Sequence, residues 1–231
     1  MELKSGIHKV DGVRGANCYL VSTAGGLYLI DTGMPGNAQK ILRYLKALGK
    51  NEKDLLMILL THSDMDHSGS AAELRRRTGA KLAIHGGDAP GLSGEKELKK
   101  VKGVPGLLFR IVVKLMKIEK VAADVILKEG EKIGPLTVIP TPGHTEGSVS
   151  FLSEADRTLF AGDALRTAKD GSPAMPPRMM TLDMDKAWES AEKISKLTFD
   201  AMLPGHGDPV LQSAVEQVRQ LVRKKAAGEN P

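Results

Sequence analysis

The chain is most legible at Leu55-Leu56-Met57-Ile58-Leu59-Leu60-Thr61-His62-Ser63-Asp64-Met65-Asp66-His67-Ser68-Gly69. It opens on an apolar run with the length and composition of a buried strand. On extended chain, residues two apart leave from one face, so His62 and Asp64 project together. Asp66 and His67 follow where the chain turns into a helix. Charge removed from water without a partner or a cation is costly, and four metal-capable side chains crowd the mouth of this strand. The stretch therefore reads as a metal site delivered by a strand end.

Toward the N-terminus, Ile7-His8-Lys9-Val10, Ala16 to Ser22 and Leu27-Tyr28-Leu29-Ile30 read as short strands, with a turn at Gly25-Gly26. Asp31-Thr32-Gly33 closes the last of them. A carboxylate there can sit beneath an active site or cap its own turn, and the sequence leaves both open. Asn37 to Leu48 follows as a helix, with Ile41, Leu42, Leu45 and Leu48 on one face and Gly49 as its stop. Beyond the metal stretch, Ser70 to Thr78 reads as a second helix. Arg75-Arg76-Arg77 suit the negative end of its dipole, and Gly79 suits its termination. Lys81 to His85 is another strand. His85 at its end and His8 on the first strand are both expected to lie outside the metal set.

Strands resume at Val125-Ile126-Leu127 and Leu136-Thr137-Val138-Ile139, and a second polar loop follows, Pro140-Thr141-Pro142-Gly143-His144-Thr145-Glu146-Gly147-Ser148. Paired strands, Val149 to Leu152 and Thr158 to Ala161, then deliver Gly162-Asp163. Residues 164–181 form a Pro- and Met-rich loop. Asp183 and Asp185 are placed to cap a helix from Lys186 to Leu197. A short strand at Asp200 to Leu203 ends in Pro204-Gly205-His206-Gly207, and a helix from Val210 to Lys225 follows. With no internal repeat and no linker, one domain is expected over 1–231, carrying a basic helical insert at about 88–123.

That insert holds most of the charge asymmetry. Eight basic residues between Lys96 and Lys120 face only Glu97 and Glu119, a local excess larger than the net charge of +5 for the whole chain. Leu107 to Lys120 reads as an amphipathic helix. It could serve as a lid over the site, a contact between two copies in a homodimer, or a membrane-surface helix. Aromatic residues make up only 3% of the chain, which argues against the stacking platforms that bind single-stranded nucleic acid. A lone cysteine, Cys18, excludes an intramolecular disulfide and a multi-cysteine zinc site, and its apolar neighbours suggest a buried, inert thiol. No signal-like N-terminal segment and no run long enough to span a bilayer is visible, so a cytoplasmic location is expected.

Four of the six histidines fall at strand ends together with three aspartates. The set His62, Asp64, Asp66, His67, His144, Asp163 and His206 resembles the metallo-β-lactamase-fold hydrolase superfamily. The family motif is His-x-His-x-Asp-His, then a lone His, a bridging Asp and a final His. Here His62-Ser63-Asp64-Met65-Asp66-His67 carries an Asp where the second His is expected. Pro142-Gly143-His144-Thr145, Ala161-Gly162-Asp163 and Pro204-Gly205-His206-Gly207 match the later elements, and Asp31-Thr32-Gly33 matches a small family turn. The resemblance implies an α/β fold, a four-layer αββα sandwich. It also implies one ion on His62, Asp64 and His144, a second on Asp66, His67 and His206, and Asp163 bridging them.

Two divalent ions would acidify a water, and a metal-bridging hydroxide would then attack, with Asp66 as proton acceptor. The extra carboxylate at Asp64 should soften the Lewis acidity of the first ion and tilt preference toward harder metals. Zinc is the first expectation, with iron or manganese behind it. The expected reaction is hydrolysis of a small carboxylic ester, lactone or thioester. Met175 and Met179 are candidate pocket walls, and Thr145 and Asp31 candidate supporting residues. Arg166 and Arg178, with the basic segment, motivate a phosphodiesterase alternative that leaves nucleic acid open as substrate. A mononuclear iron persulfide dioxygenase is the third reading.

Overall fold

Alternating apolar runs and glycine turns place strands where the residue pattern asks for them. The computed structural model describes residues 1–95 and 119–229, and the chain divides into two compact units, Met1–Ile126 and Leu127–Pro231. The helix expected over 107–120, apart from its last two residues, lies outside the described residues, as does nearly all of the basic segment.

In the first unit a seven-stranded sheet runs in chain order: β1 (Glu2–Lys4), β2 (Ile7–Lys9), β3 (Tyr19–Thr23), β4 (Gly26–Ile30), β5 (Leu55–Leu59), β6 (Lys81–His85) and β7 (Val125–Leu127). The first four pair antiparallel, β1–β2 and β3–β4 through tight turns and β2–β3 through the longer connection at 10–18. β4, β5 and β6 are parallel, with Ile30 opposite Leu59 and Leu59 opposite Ala83. Parallel neighbours need crossovers. α1 (Ala38–Ala47) makes the first, and α2 (Met65–Ser68) with α3 (Ala71–Thr78) make the second.

α1 forms because Ile41, Leu42 and Leu45 recur at helical spacing, and all three are buried in a core with Leu20, Leu29, Ile58 and Leu82. Burying each such side chain contributes roughly 1.5–3 kcal/mol. α3 stops at Gly79, whose φ of 77° suits glycine. Its three arginines are individually paired: Arg75 with Asp124, Arg76 with Glu119 and Arg77 with Glu52. These pairs reach beyond the helix-end role expected of them.

The second unit carries a five-stranded sheet made of β8 (Lys132–Ile133), β9 (Leu136–Pro140), β10 (Val149–Ser153), β11 (Thr158–Gly162) and β14 (Ala201–Pro204). Its strands are ordered β14-β11-β10-β9-β8. β9, β10 and β11 alternate in direction, while β14 lies parallel to β11. The ends of β9, β11 and β14 therefore fall at one edge of this sheet. α5 (Met184–Ser195) and α6 (Ala214–Ala226) pack with Leu159, Ala161, Phe199 and Met202 in the core of this unit.

Three expectations are corrected here. α5 starts two residues earlier than expected: Asp183 alone is the cap, accepting from the N–H groups of Asp185 and Lys186, and Asp185 lies in the first turn. Val210 does not open α6. It exchanges both backbone hydrogen bonds with Met202, at 2.7 and 2.9 Å, so tertiary pairing overrides its apolar helical spacing. The loop at 164–181 contains a small hairpin, β12 (Arg166–Thr167) with β13 (Pro173–Ala174), turned at Asp170-Gly171. Among the described residues no helix is long and apolar enough to cross a membrane.

Candidate metal centre

Because β4 and β5 are parallel and in register, both end at one edge, where Asp31 stands beside Thr61-His62. Asp31 has φ of 57°, a left-handed conformation that aspartate tolerates better than most residues. Thr61 donates to it twice, from its backbone N–H to Oδ1 at 2.9 Å and from its hydroxyl to Oδ2 at 2.8 Å. Nδ1 of His67 lies 2.8 Å from the same Oδ2. A carboxylate only accepts, so Nδ1 of His67 carries the proton. The single hydroxyl proton of Thr61 is spent on Asp31, so its oxygen accepts from Nδ1 of His62 at 3.0 Å. One carboxylate thereby sets the tautomer of both histidines, whose rings stack obliquely with centroids 4.0 Å apart. In both, the lone pair is on Nε2.

Each Nε2 faces a carboxylate. In the first unit, His62 Nε2 lies 3.7 Å from Asp64 Oδ2, and His67 Nε2 lies 4.0 Å from Asp66 Oδ2. In the second unit, His144 and His206 each present Nε2 to Asp163 Oδ2 at 3.5 Å. These separations exceed a good hydrogen bond. Two ligand atoms at about 2.0–2.1 Å from one tetrahedral ion would sit about 3.3 Å apart. The donor pairs fit a cation, and the shared Oδ2 fits a carboxylate common to two imidazoles.

The three residues of the second unit converge because their strands end at one edge. Gly205 N–H bonds to the carbonyl of Gly162 at 2.8 Å, tying the two strand ends together. The His144 loop is held by its backbone: Leu182 N–H reaches the His144 carbonyl, Asp183 N–H the Gly143 carbonyl, and the Ser190 hydroxyl the Pro142 carbonyl at 2.7 Å. Gly143 has φ of 135°, and a Cβ there would collide with the backbone of Ala187. Only glycine lets the loop lie this close to α5.

The supporting residues named from sequence separate. Asp31 is at the centre of the histidine network. Thr145 is buried, its hydroxyl 2.7 Å from that of Ser148, and serves the loop. Met175 packs partly buried on the core of the second unit, whereas Met179 is 61% exposed. Arg166 donates to the Met175 carbonyl at 3.1 Å, and Arg178 is exposed. His85 accepts from Gly87 N–H through Nδ1, as a residue outside the ligand set can. Cys18 is buried, and burial first, then the charge of Asp31, pushes its thiol well above the ordinary value. It stays protonated and inert.

Two residues escaped the sequence reading. Thr61 directly follows the apolar run Leu55–Leu60, and its place beside His62 was a usable signal. Asp88, which accepts from Ser63 N–H at 2.7 Å, drew no reading from the sequence.

The sequence profile of the metallo-β-lactamase superfamily matches residues 11–206. The chain belongs to this superfamily. A probable metallo-hydrolase of Bacillus subtilis (strain 168) is 30% identical over 231 residues, covering 90% of this chain and 86% of that protein. A hydroxyacylglutathione hydrolase of Bdellovibrio bacteriovorus is 30% identical over 167 residues, covering 71% of this chain but 52% of its own length. This superfamily member thus spans about half of that enzyme. The crystal structure of a metallo-β-lactamase family protein of Thermus thermophilus superposes with a TM-score of 0.74 at 23% identity, covering 98% of this chain and 81% of that one. The fold is the α/β fold of the superfamily.

Proposed function

We propose that the protein is a dinuclear metal-dependent hydrolase of a small carboxylic ester, lactone or thioester. The carrying observation is that four imidazoles each present Nε2 to a carboxylate oxygen at 3.5–4.0 Å, two of them to the same oxygen of Asp163. His62, Asp64 and His144 would hold one ion, Asp66, His67 and His206 the other, and Asp163 both. The pair of ions, when bound, supplies Lewis acidity and an acidified water. The chain does the rest. Asp31 and Thr61 keep the lone pairs of His62 and His67 on Nε2. Asp66, half-buried at the start of α2, would be the proton acceptor for the attacking water.

Three carboxylates against four imidazoles make a harder donor set than histidine alone, so iron or manganese competes with zinc, which remains first. The hydroxyacylglutathione hydrolase likeness favours a thioester among the three substrate types. Met179 and Leu182, 61% and 57% exposed, offer apolar surface next to the His144 loop for an acyl chain.

Metal analysis of the purified chain tests this reading, alongside hydrolysis of a glutathione thioester, a p-nitrophenyl ester, a lactone and bis-p-nitrophenyl phosphate. Two ions per chain, with turnover of an acyl substrate lost on chelation and restored by metal, is the expected result. Turnover of the phosphodiester alone would replace the substrate class. One iron per chain with oxygen consumption on a persulfide would replace the reaction.

A further inference from the structure

Asp88 sits at the N-cap of α4 (Ala89–Ser93), where an aspartate ordinarily accepts from the first free N–H groups of its own helix. It makes no such bond: the cap carries no side-chain hydrogen bond, and only the Asp88 carbonyl serves the helix, accepting from Gly91 and Leu92. The carboxylate is buried at 5% exposure, and Oδ2 instead accepts the backbone N–H of Ser63 at 2.7 Å, a charge-assisted bond. A buried carboxylate turned away from its own helix is spent on something else.

Ser63 stands between His62 and Asp64. Its carbonyl is held from the other side by the Ser68 hydroxyl at 2.9 Å, so this residue is pinned at its N–H and at its C=O. The torsions at Ser63 set how His62 and Asp64 leave the chain. An aspartate reaches its ligand atom through fewer bonds than a histidine, so the short arm of Asp64 tolerates less backbone error than the imidazole the family motif carries there. We propose that Asp88 is a positioning residue for the metal centre, fixing through Ser63 the exit directions of His62 and Asp64. The inference rests on the metal-centre reading above.

The test is zinc competition against a chelator, with the visible spectrum of the cobalt-loaded full-length chain and the melting of the metal-free chain. Asp88→Ala is expected to weaken zinc binding about 10–100-fold and to alter the cobalt spectrum. Asp88→Asn, whose amide oxygen can take the same N–H, should restore both. A folded Asp88→Ala variant that binds zinc and absorbs like wild type overturns the proposal while leaving the metal reading intact. If wild type itself binds no divalent ion, the metal reading fails and takes this proposal with it. Should Asp88→Ala not fold, Asp88→Glu decides: it keeps charge and acceptor but pushes Ser63 by one methylene. An altered cobalt spectrum then supports the proposal, and an unchanged spectrum and affinity overturn it.

Discussion

The two strand-end clusters reach similar donor spacings by different means. In the first unit, side chains do the orienting: Asp31 and Thr61 wire His62 and His67 from behind, and all four residues are buried. In the second unit, backbone contributes to it: Gly143 lies against α5, Gly205 bonds to Gly162, and His144 and His206 converge on Asp163. His206 is 39% exposed at its side chain, whereas His62 and His67 are fully buried. Orientation by side chains is vulnerable to single substitutions that leave the fold standing. Orientation by backbone is vulnerable chiefly at the ligands themselves and at a few glycines.

The largest effect expected from this contrast is at Asp163. Its Oδ2 serves two imidazoles, so Asp163→Ala should cost both ions and abolish acyl hydrolysis, with His144→Ala close behind. Metal content and kcat/KM on the acyl substrate turned over by wild type check this. His85→Ala, made in parallel, should leave most activity. An Asp163→Ala chain that keeps two ions would show that the second cluster is not built around this carboxylate.

Next in size is Asp31→Asn. Asparagine tolerates the left-handed backbone at this position, so the substitution probes the hydrogen bonds and spares the turn. Its amide can donate where the carboxylate only accepted, which admits the tautomer of His67 with the proton on Nε2. Metal affinity should fall about 10–100-fold, the usual cost of disturbing an imidazole's outer partner, with little change in the melting of the metal-free chain. An unchanged affinity would remove the distinction between the two clusters.

How much of this was legible follows the same divide. The Leu55–Leu60 run, the helical spacing of Ile41, Leu42 and Leu45, and the polar residues at each strand end are local patterns, and strands and helices formed where they pointed. Val210 was misread because its pairing with Met202 is tertiary and leaves no periodicity in the sequence. Asp31 was left between turn cap and site residue, since nothing nearby in the chain reveals that His67, 36 positions on, is its partner. Asp88 was missed for the reverse reason: its local signal, a cap before Ala89-Pro90, is real in sequence and unused by its side chain.

The smallest effect separates stability from metal binding inside the first unit. Asp124 accepts from Arg75 Nε at 2.7 Å and from Leu82 N–H at 2.9 Å, far along the chain from the histidine network. The hydrogen bond to Arg75 holds the Asp124 carboxyl below its usual range and the guanidinium above its own. A carboxyl depressed in the folded state contributes stability that is fully present above its unfolded value of about 4 and is lost as pH falls through the lower folded value. Both groups are partly exposed, so the pair is worth about 0.2–1 kcal/mol. Arg75→Ala should therefore lower the melting temperature by about 0.5–4 °C at neutral pH. The deficit should shrink below about pH 4, where wild type also loses the pair. Zinc affinity should not change. If Arg75→Ala weakened zinc as Asp31→Asn does, the sensitivity of the first cluster would belong to the whole unit's stability rather than to the hydrogen bonds behind its histidines.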